Sequence, residues 1–355
     1  MIIPVILAGG AGTRLWPMSN EERPKQYHNM SGKGTLLEET INRLKSASPE
    51  EIVIVSSEKY EDLSIAEIKK TGLKGTILSE PAPKNTAAAV LYAAIFLSKK
   101  YKDSVMIVLP ADHFIKKPDV FSEIIKKGIS LAQRDSLVTI GIKPSYPETG
   151  YGYIKSVEGN ATELAVDRFV EKPDFETAKK YVESGNFFWN SGIFIWKTSV
   201  ILEKFKELMP RHYQAFEPLM NLSWEQISSK DNSVKEIKKN IFQSIESVSI
   251  DYGIMEKATN CMVIPADFGW ADLGSWKAAD DVLEADSNGN RTQSQDNAIF
   301  VNSKDCTIFS EGSRIALVGV SGIVVVQSGN DILVIDKNSS QDVRKVVEIV
   351  KGKKS

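Results

Sequence analysis

"IPVILAGGAGTRLWPMSNEERPKQ" (residues 3–26) is the stretch from which the rest of the chain is best read. It opens with a short apolar run, Ile3–Leu7, rich in branched residues and too short for a helix, so it reads as a buried strand. The strand leads at once into Ala8, Gly9, Gly10 and Gly12. Small residues let main chain come close to a polyphosphate, and successive N–H groups there form an anion nest. Arg14 adds a fork of donors matched to phosphate oxygens. Lys25 adds a point charge, and Pro24 fixes the chain direction just before it. Taken singly, Arg14 and Lys25 read as ordinary surface charge; in one loop they point to an anion site. The loop is neither a G-x-x-x-x-G-K-[ST] phosphate loop nor a G-x-G-x-x-G dinucleotide turn, since Leu15 stands where the third glycine would be.

Outward from this loop, strand and helix patterns alternate. "IVIVS" (52–56), "GTILS" from Gly75, "VMIVL" (105–109) and "LVTIG" (137–141) read as further buried strands. Helices are expected over 35–47, opened by the Thr35/Glu38 capping pair, and over 58–70, 85–100 and 118–132, with Asn85 as the cap of the third. This order predicts an α/β fold: a Rossmann-like, mixed but mainly parallel sheet flanked by helices, with ligands beyond the strand carboxyl ends. After about residue 145 the pattern changes. Strands with a turn at "EGNA" are expected over 150–171. A helix over 174–184 and the strand "NSGIFIW" (190–196) follow. Residues 198–258 read as mostly helical, "CMVIPADF" (261–268) as a strand, and 273–285 as a helix. The polar, turn-rich segment 286–294 reads as a linker, dividing the chain into domains 1–285 and 286–355. Beyond it, five short apolar runs at even intervals make a small all-β unit, either a few solenoid rungs or a small sheet. A last helix at about 340–351 places Val343, Val346, Val347 and Val350 on one face, to dock on its own domain or on a second copy.

Composition bounds the function. The 355 residues carry 44 basic against 46 acidic side chains, so no general nucleic-acid or membrane-surface role is expected and any anion site is local. Cys261 and Cys306 lie far apart and the three histidines are scattered, which argues against zinc and disulfides and for thiols in a reducing compartment. The N-terminus lacks a basic leader region and no apolar run reaches the ~20 residues of a membrane span, so a cytoplasmic protein is expected.

"LAGGAGTRLWPMS" with "RPKQ" resembles the signature of the sugar-1-phosphate nucleotidyltransferases. Later stretches narrow the resemblance to the mannose-1-phosphate guanylyltransferase (GDP-mannose pyrophosphorylase) family. They are "SEPAPKNTAAA" (79–89), "LPADH" (109–113), "ETGYGYI" (148–154), "FVEKP" (169–173), "FFWNSGIFIW" (187–196), "SIDYGIMEKA" (249–258) and "FGWADLGSW" (268–276). The resemblance covers about residues 1–285. It departs at "PKQYHNM", where the family tends to carry Phe-Leu after the glutamine.

The implied reaction joins GTP and mannose 1-phosphate into GDP-mannose and pyrophosphate. A sugar-phosphate oxygen attacks the α-phosphorus in line, without a protein nucleophile. Pressing two polyanions together costs on the order of 3 kcal/mol per charge pair at ~5 Å and an effective dielectric of ~20, so catalysis is mostly positioning and neutralisation. By resemblance, Arg14, Lys25 and Lys172 are the catalytic cations, the last on the sugar phosphate. Ala8, Gly9, Gly10, Gly12, Thr13, Glu80, Pro81, Asn85, Thr86 and Asp112 form the nucleotide set. A Glu80 carboxylate can accept from both N1–H and the 2-amino group of guanine, which other bases cannot offer. Gly150, Tyr151, Gly152, Glu171, Asn190, Asp251 and Tyr252 form the sugar set, although Asp251 also fits a buried helix start.

Asp112 and Asp272 are the implied Mg²⁺ ligands, since Mg²⁺ takes one or two carboxylates plus phosphate oxygens and water. From the residues alone, Asp112 equally suits a turn cap and Asp272 a helix N-cap. Trp189, Trp270 and Trp276 read as core. The resemblance further implies that the C-terminal β unit is a left-handed β-helix fragment that mediates a homodimer. Two-function relatives carry an added isomerase domain for which this chain is too short, so no isomerase activity is expected. Two other readings stay open: a transferase for another base or hexose, and a silent regulatory subunit that only binds GDP-mannose.

Overall fold

The computed structural model describes residues 1–10, 12–159 and 161–352. Packing divides the chain into two units. The first is Met1–Gly9, Arg43–Pro110 and Lys117–Trp270; the second is Gly10–Asn42, Ala111–Lys116 and Ala271–Ser355. This is a division by packing, where the expected boundary at 285/286 is a cut along the sequence.

The first unit is built on a nine-stranded sheet. Its strands are β1 (Ile2–Leu7), β2 (Ile52–Ser57), β3 (Gly75–Glu80), β4 (Val105–Pro110), β5 (Leu137–Ile142), β6 (Tyr153–Ser156), β7 (Leu164–Val170), β8 (Phe187–Lys197) and β9 (Cys261–Ala266). They lie in the order β3-β2-β1-β4-β8-β5-β9-β7-β6. Of the five runs read as strands, β1, β2, β4 and β5 are buried nearly throughout, as strands covered on both faces must be, while β3, at the sheet edge, is only partly buried. β1, β2, β3 and β4 pair in parallel, and β9 runs parallel to β5. β8 is antiparallel to both β4 and β5 and makes the sheet mixed.

The helix α1 (Leu36–Leu44) is followed by α2 (Glu61–Thr71) and α3 (Asn85–Lys100). Ala87 through Leu97 of α3 are all buried, so this helix has no polar face and belongs wholly to the core. The stretch 198–258 is helical in short pieces, broken first at Met209-Pro210, and it ends in a π-helical turn at Asp251–Met255.

In the second unit the C-terminal strands form β-helix-like coils. β10 (Arg291–Thr292), β12 (Thr307–Ser310) and β14 (Ile323–Ser328) pair in parallel, as do β11 (Ala298–Val301) and β13 (Ile315–Val318). Arg291 pairs with Thr307, Thr307 with Val324 and Ala298 with Ile315, so each coil takes 16 or 17 residues. β15 (Asp331–Asp336) closes the stack as an antiparallel hairpin with β14.

The expected helix over 273–285 is shorter, Trp276–Asp281, capped by Ser275, whose side chain accepts from Ala278 N–H. Its Asp280 is buried and takes the Thr307 hydroxyl and the Lys337 ammonium (2.9 Å), which fastens this helix to the coils. One core joins Leu15, Met18 and Met30 of the glycine-loop segment to Trp276, Phe309, Val326 and Val343. The terminal helix Val343–Gly352 therefore docks on its own unit: Val343 is in this core, Val347 packs against it, and Lys351 pairs with Glu21.

Candidate active site

In the second unit the glycine loop is shaped by Gly12. Its φ of 56° lies in the left-handed region, and a Cβ there would sit 2.8 Å from Lys25 Cβ, so only glycine fits. Gly10 is held by its carbonyl, which accepts from Gln26 at 3.3 Å. A short 3-10 turn, Thr13–Leu15, follows; Arg14 on it is exposed, while the Thr13 side chain lies outside the described residues.

Lys25 is buried, which excludes the surface-charge reading. Its ammonium lies 2.9 Å from Asp112 Oδ2 and donates to the Asp272 carbonyl at 2.6 Å. Partial burial opposes ionisation of Asp112. The Lys25 ammonium, helped by His113, outweighs it and holds the carboxyl below the usual range. Asp272 is not the N-cap of the helix after it, because Ser275 fills that place; its Oδ1 instead accepts from Gly274 N–H. Between them Leu273 is buried at φ 49°, a strained conformation for a branched residue and one that no local pattern announces. So Arg14, Lys25, Asp112 and Asp272 fall in one packed unit, with Lys25 touching both aspartates. Among the described residues there is no group of three or more metal-binding side chains. A hard cation held by Asp112 and Asp272 would complete its shell with phosphate oxygens and water, which suits Mg²⁺.

In the first unit Glu80 ends β3 and is buried. Its Oε1 has no hydrogen-bond partner, and burial pushes the carboxyl up to about 8. A Cβ on Gly9 would lie 3.1 Å from Glu80 Oε2, so the glycine keeps main chain close to that carboxyl. Ala8 is buried, its N–H on the Val55 carbonyl. Pro81 lines a cavity of about 430 Å³ with Glu58, Lys235 and Lys239. Asn85 does not cap α3 in the expected way. It sits at φ 64°, and its side chain accepts from the next N–H, Thr86. The Thr86 hydroxyl accepts from Ile250 N–H at 2.8 Å, a tie that holds the segment leading to Asp251.

The sugar candidates cluster in part. A register shift in the β5–β8 ladder re-aims Asn190, whose amide donates to Asp251 Oδ1 and whose own oxygen accepts from Gly192 N–H. Asn190 N–H donates to the Gly152 carbonyl at 2.8 Å, and a Cβ on Gly152 would meet Glu171 Oε2 at 2.8 Å. Burial pushes the Asp251 carboxyl up, against the pull of Asn190. Glu171 and Lys172 form an exposed ion pair at 2.9 Å, a weak contact readily exchanged for a ligand. Lys172 is also left-handed, at φ 43°. Gly150 N–H is tied to Glu148. Tyr151 packs edge-on against Trp189 and Trp270, with ring centroids at 5.4 and 5.1 Å. Trp189 and Trp276 are core as expected, whereas Trp270 is partly exposed. Tyr252 does not join this cluster. It lines a cavity of about 410 Å³ with Met209, Arg211, His212 and Lys257, and Lys257 lies over its ring. Because successive residues of the π-helical turn face different ways, the sequence neighbours Asp251 and Tyr252 part company.

Comparison with known proteins bears on the chain as a whole. A family described as Nucleotidyl transferase matches residues 3–289, and one described as MannoseP isomerase/GMP-like beta-helix domain matches residues 296–349. A mannose-1-phosphate guanylyltransferase of Salmonella muenchen is 39% identical over 356 residues, covering 99% of this chain and 74% of that protein. Xanthan biosynthesis protein XanB of Xanthomonas campestris pv. campestris (strain B100) is 38% identical over 354 residues, with 99% and 73% covered. The crystal structure of a mannose-1-phosphate geranyltransferase from Thermus thermophilus superposes with a TM-score of 0.86 at 30% identity, over 99% of this chain and all of that one. With a match to the family over most of its length and relatives of this kind along the whole of it, the chain belongs to the nucleotidyl transferase family, among the mannose-1-phosphate guanylyltransferases.

Proposed function

We propose that the protein transfers GMP from GTP to mannose 1-phosphate, releasing pyrophosphate. A sugar-phosphate oxygen forms the new bond to the α-phosphorus as the bond to the β-phosphate oxygen breaks, and pyrophosphate leaves with that electron pair. The observation that carries the choice of guanine is Glu80: a buried carboxyl with an oxygen that lacks a partner and a glycine backbone beside it. Guanine N1–H and its 2-amino group would satisfy that carboxylate, which otherwise stays protonated near neutrality. Arg14, exposed and without an ion pair among the described residues, neutralises triphosphate oxygens. Lys25 balances Asp112 at rest and shares its charge with phosphate when nucleotide enters. Asp112 and Asp272 are the residues that would hold Mg²⁺, which when bound supplies charge neutralisation on phosphate oxygens. Lys172 exchanges Glu171 for the sugar phosphate, and Glu171, Asn190 and Asp251 take sugar hydroxyls.

The test is a turnover panel: four nucleoside triphosphates crossed with several hexose 1-phosphates, with and without Mg²⁺, reading pyrophosphate. The reading expects GTP with mannose 1-phosphate and Mg²⁺ to lead. No release by micromolar enzyme would leave only a binding role, and a lead by UTP or dTTP would remove the guanine assignment.

The reading extends to a cytoplasmic homodimer. On the paired strands β11 and β13, Ile299, Val301 and Val318 are exposed side by side, and Ile332 and Val334 are exposed on β15. Apolar strand faces of this kind are covered in most soluble proteins, and a second copy is the simplest cover. Light scattering reads the outcome: Val301→Lys with Val318→Lys should give a monomer, and an unchanged mass would place the interface elsewhere.

A further inference from the structure

The segment that carries Lys25 is closed on itself by His28. Lys25–Tyr27 forms one 3-10 turn, and His28 N–H donates to the Lys25 carbonyl. The His28 ring is almost fully buried. Its Nε2 lies 2.9 Å from the Arg23 carbonyl and its Nδ1 lies 2.8 Å from Glu311 Oε1. Each ring nitrogen thus faces an oxygen of another residue. Burial pushes the Glu311 carboxyl up, but His28, the Ser328 hydroxyl and Arg23 together hold it below the usual range, so Glu311 is ionised and only accepts. The ionised carboxylate makes the Nδ1 contact a charge-assisted one. Arg23 reinforces it twice: one nitrogen stands 3.7 Å from the same carboxylate oxygen, and another donates to the Tyr27 carbonyl at 2.9 Å.

Glu311 is itself fixed. It follows β12, its N–H donates to the Gln327 carbonyl, and its second oxygen accepts from the Ser328 hydroxyl at 2.6 Å. Residues 23 to 28 thus hang from a rigid point in the C-terminal coils, with Lys25 between the two places where they are gripped.

We infer that Glu311 and His28 are positioning residues for the transfer reaction: the pair sets the place of the Lys25 ammonium. This rests on the role proposed for Lys25 above. The grip is polar, a hydrogen-bonded contact between ring and carboxylate. It makes a residue of the β-helix-like part a contributor to catalysis and not only to assembly.

Steady-state kinetics on the full chain test it. Glu311→Gln, nearly isosteric, and His28→Leu should each lower kcat by about tenfold to a hundredfold, the scale of a misplaced catalytic group, with little change in KM for mannose 1-phosphate. The double variant should lose no more than the worse single one. A destabilised but correctly placed loop would lower the melting temperature without this kinetic pattern. The deciding readout is Lys25→Met. If Lys25 is the target, Glu311→Gln has no further effect on kcat in that background. A persistent drop there overturns the inference, as does wild-type kcat in Glu311→Gln. If Lys25→Met alone leaves kcat intact, it is the reading of Lys25 that fails. Should His28→Leu not fold, Glu311→Gln and its combination with Lys25→Met still decide.

Discussion

The two packed units hold their candidate side chains by opposite means. In the unit that contains the glycine loop, the groups are charged and already paired: Lys25 with Asp112 and with the Asp272 carbonyl, His28 with Glu311. In the sheet unit the telling groups, Glu80 and Asp251, are carboxyls that burial pushes toward their neutral forms, and one Glu80 oxygen has no partner. The first arrangement suits phosphate and metal, whose charges can replace partners already in place. The second suits a base or a sugar, whose N–H and O–H groups are recognised by what they satisfy. Under the proposed function, ion pairing serves the chemistry and withheld hydrogen bonds serve the selectivity.

The comparison breaks most visibly at Asp112. Asp112→Asn keeps the shape, removes the charge proposed to hold metal and leaves the buried Lys25 ammonium uncompensated. It should lower kcat by more than about a hundredfold, and it should also lower the unfolding free energy, by less than the ~3–5 kcal/mol of a fully buried pair because Asp112 is partly exposed. Near-normal turnover would show the metal to be held elsewhere.

Glu80→Gln should do something different in kind. It should reduce the preference for GTP over UTP in kcat/KM by about tenfold to a hundredfold, the worth of a hydrogen bond to a charged group. An unchanged ratio would take Glu80 out of base recognition.

The smallest effect is a proton. With the Glu80 carboxyl raised to about 8 in the ligand-free protein, the folded state binds a proton that the unfolded state has lost above about 4.5. Stability from this group is therefore full at acid pH and declines as pH rises toward 8. Glu80→Gln, which cannot ionise, should gain in melting temperature relative to the parent between pH 5 and 8. Guanine needs the ionised form, so GTP binding at pH 7 should release up to one proton from Glu80. Calorimetry in buffers of different ionisation heat measures it. Zero release would mean that Glu80 is ionised beforehand or does not meet the base.

Much of this was legible locally. Buried strands showed as short Val- and Ile-rich runs, and β1 to β5 lie within a residue or two of where the pattern put them. The anion loop showed because Gly12, Arg14 and Lys25 are close in sequence. What stayed hidden depends on distant chain. Nothing near Lys25 says that its ammonium meets Asp112, and nothing near His28 says that it meets Glu311. Asp272 read as a cap for the next helix, but the structure caps that helix with Ser275, three residues later. Tyr252 stands apart from Asp251 because a π-helical turn, which carries no periodic signature over five residues, turns the two side chains different ways. The docking of the last helix was undecidable from its own apolar stripe, since a stripe names no partner.

That docking has a consequence for how the protein is made. Val343 and Val347 share a core with Leu15 and Met18, next to the turn that bears Arg14. A ribosome delivers the loop long before its supporting helix. The nascent chain can assemble the parallel strands β1 to β4 early, while the glycine loop waits for most of the remaining sequence before its core is complete. Catalytic competence should therefore wait until that helix has emerged.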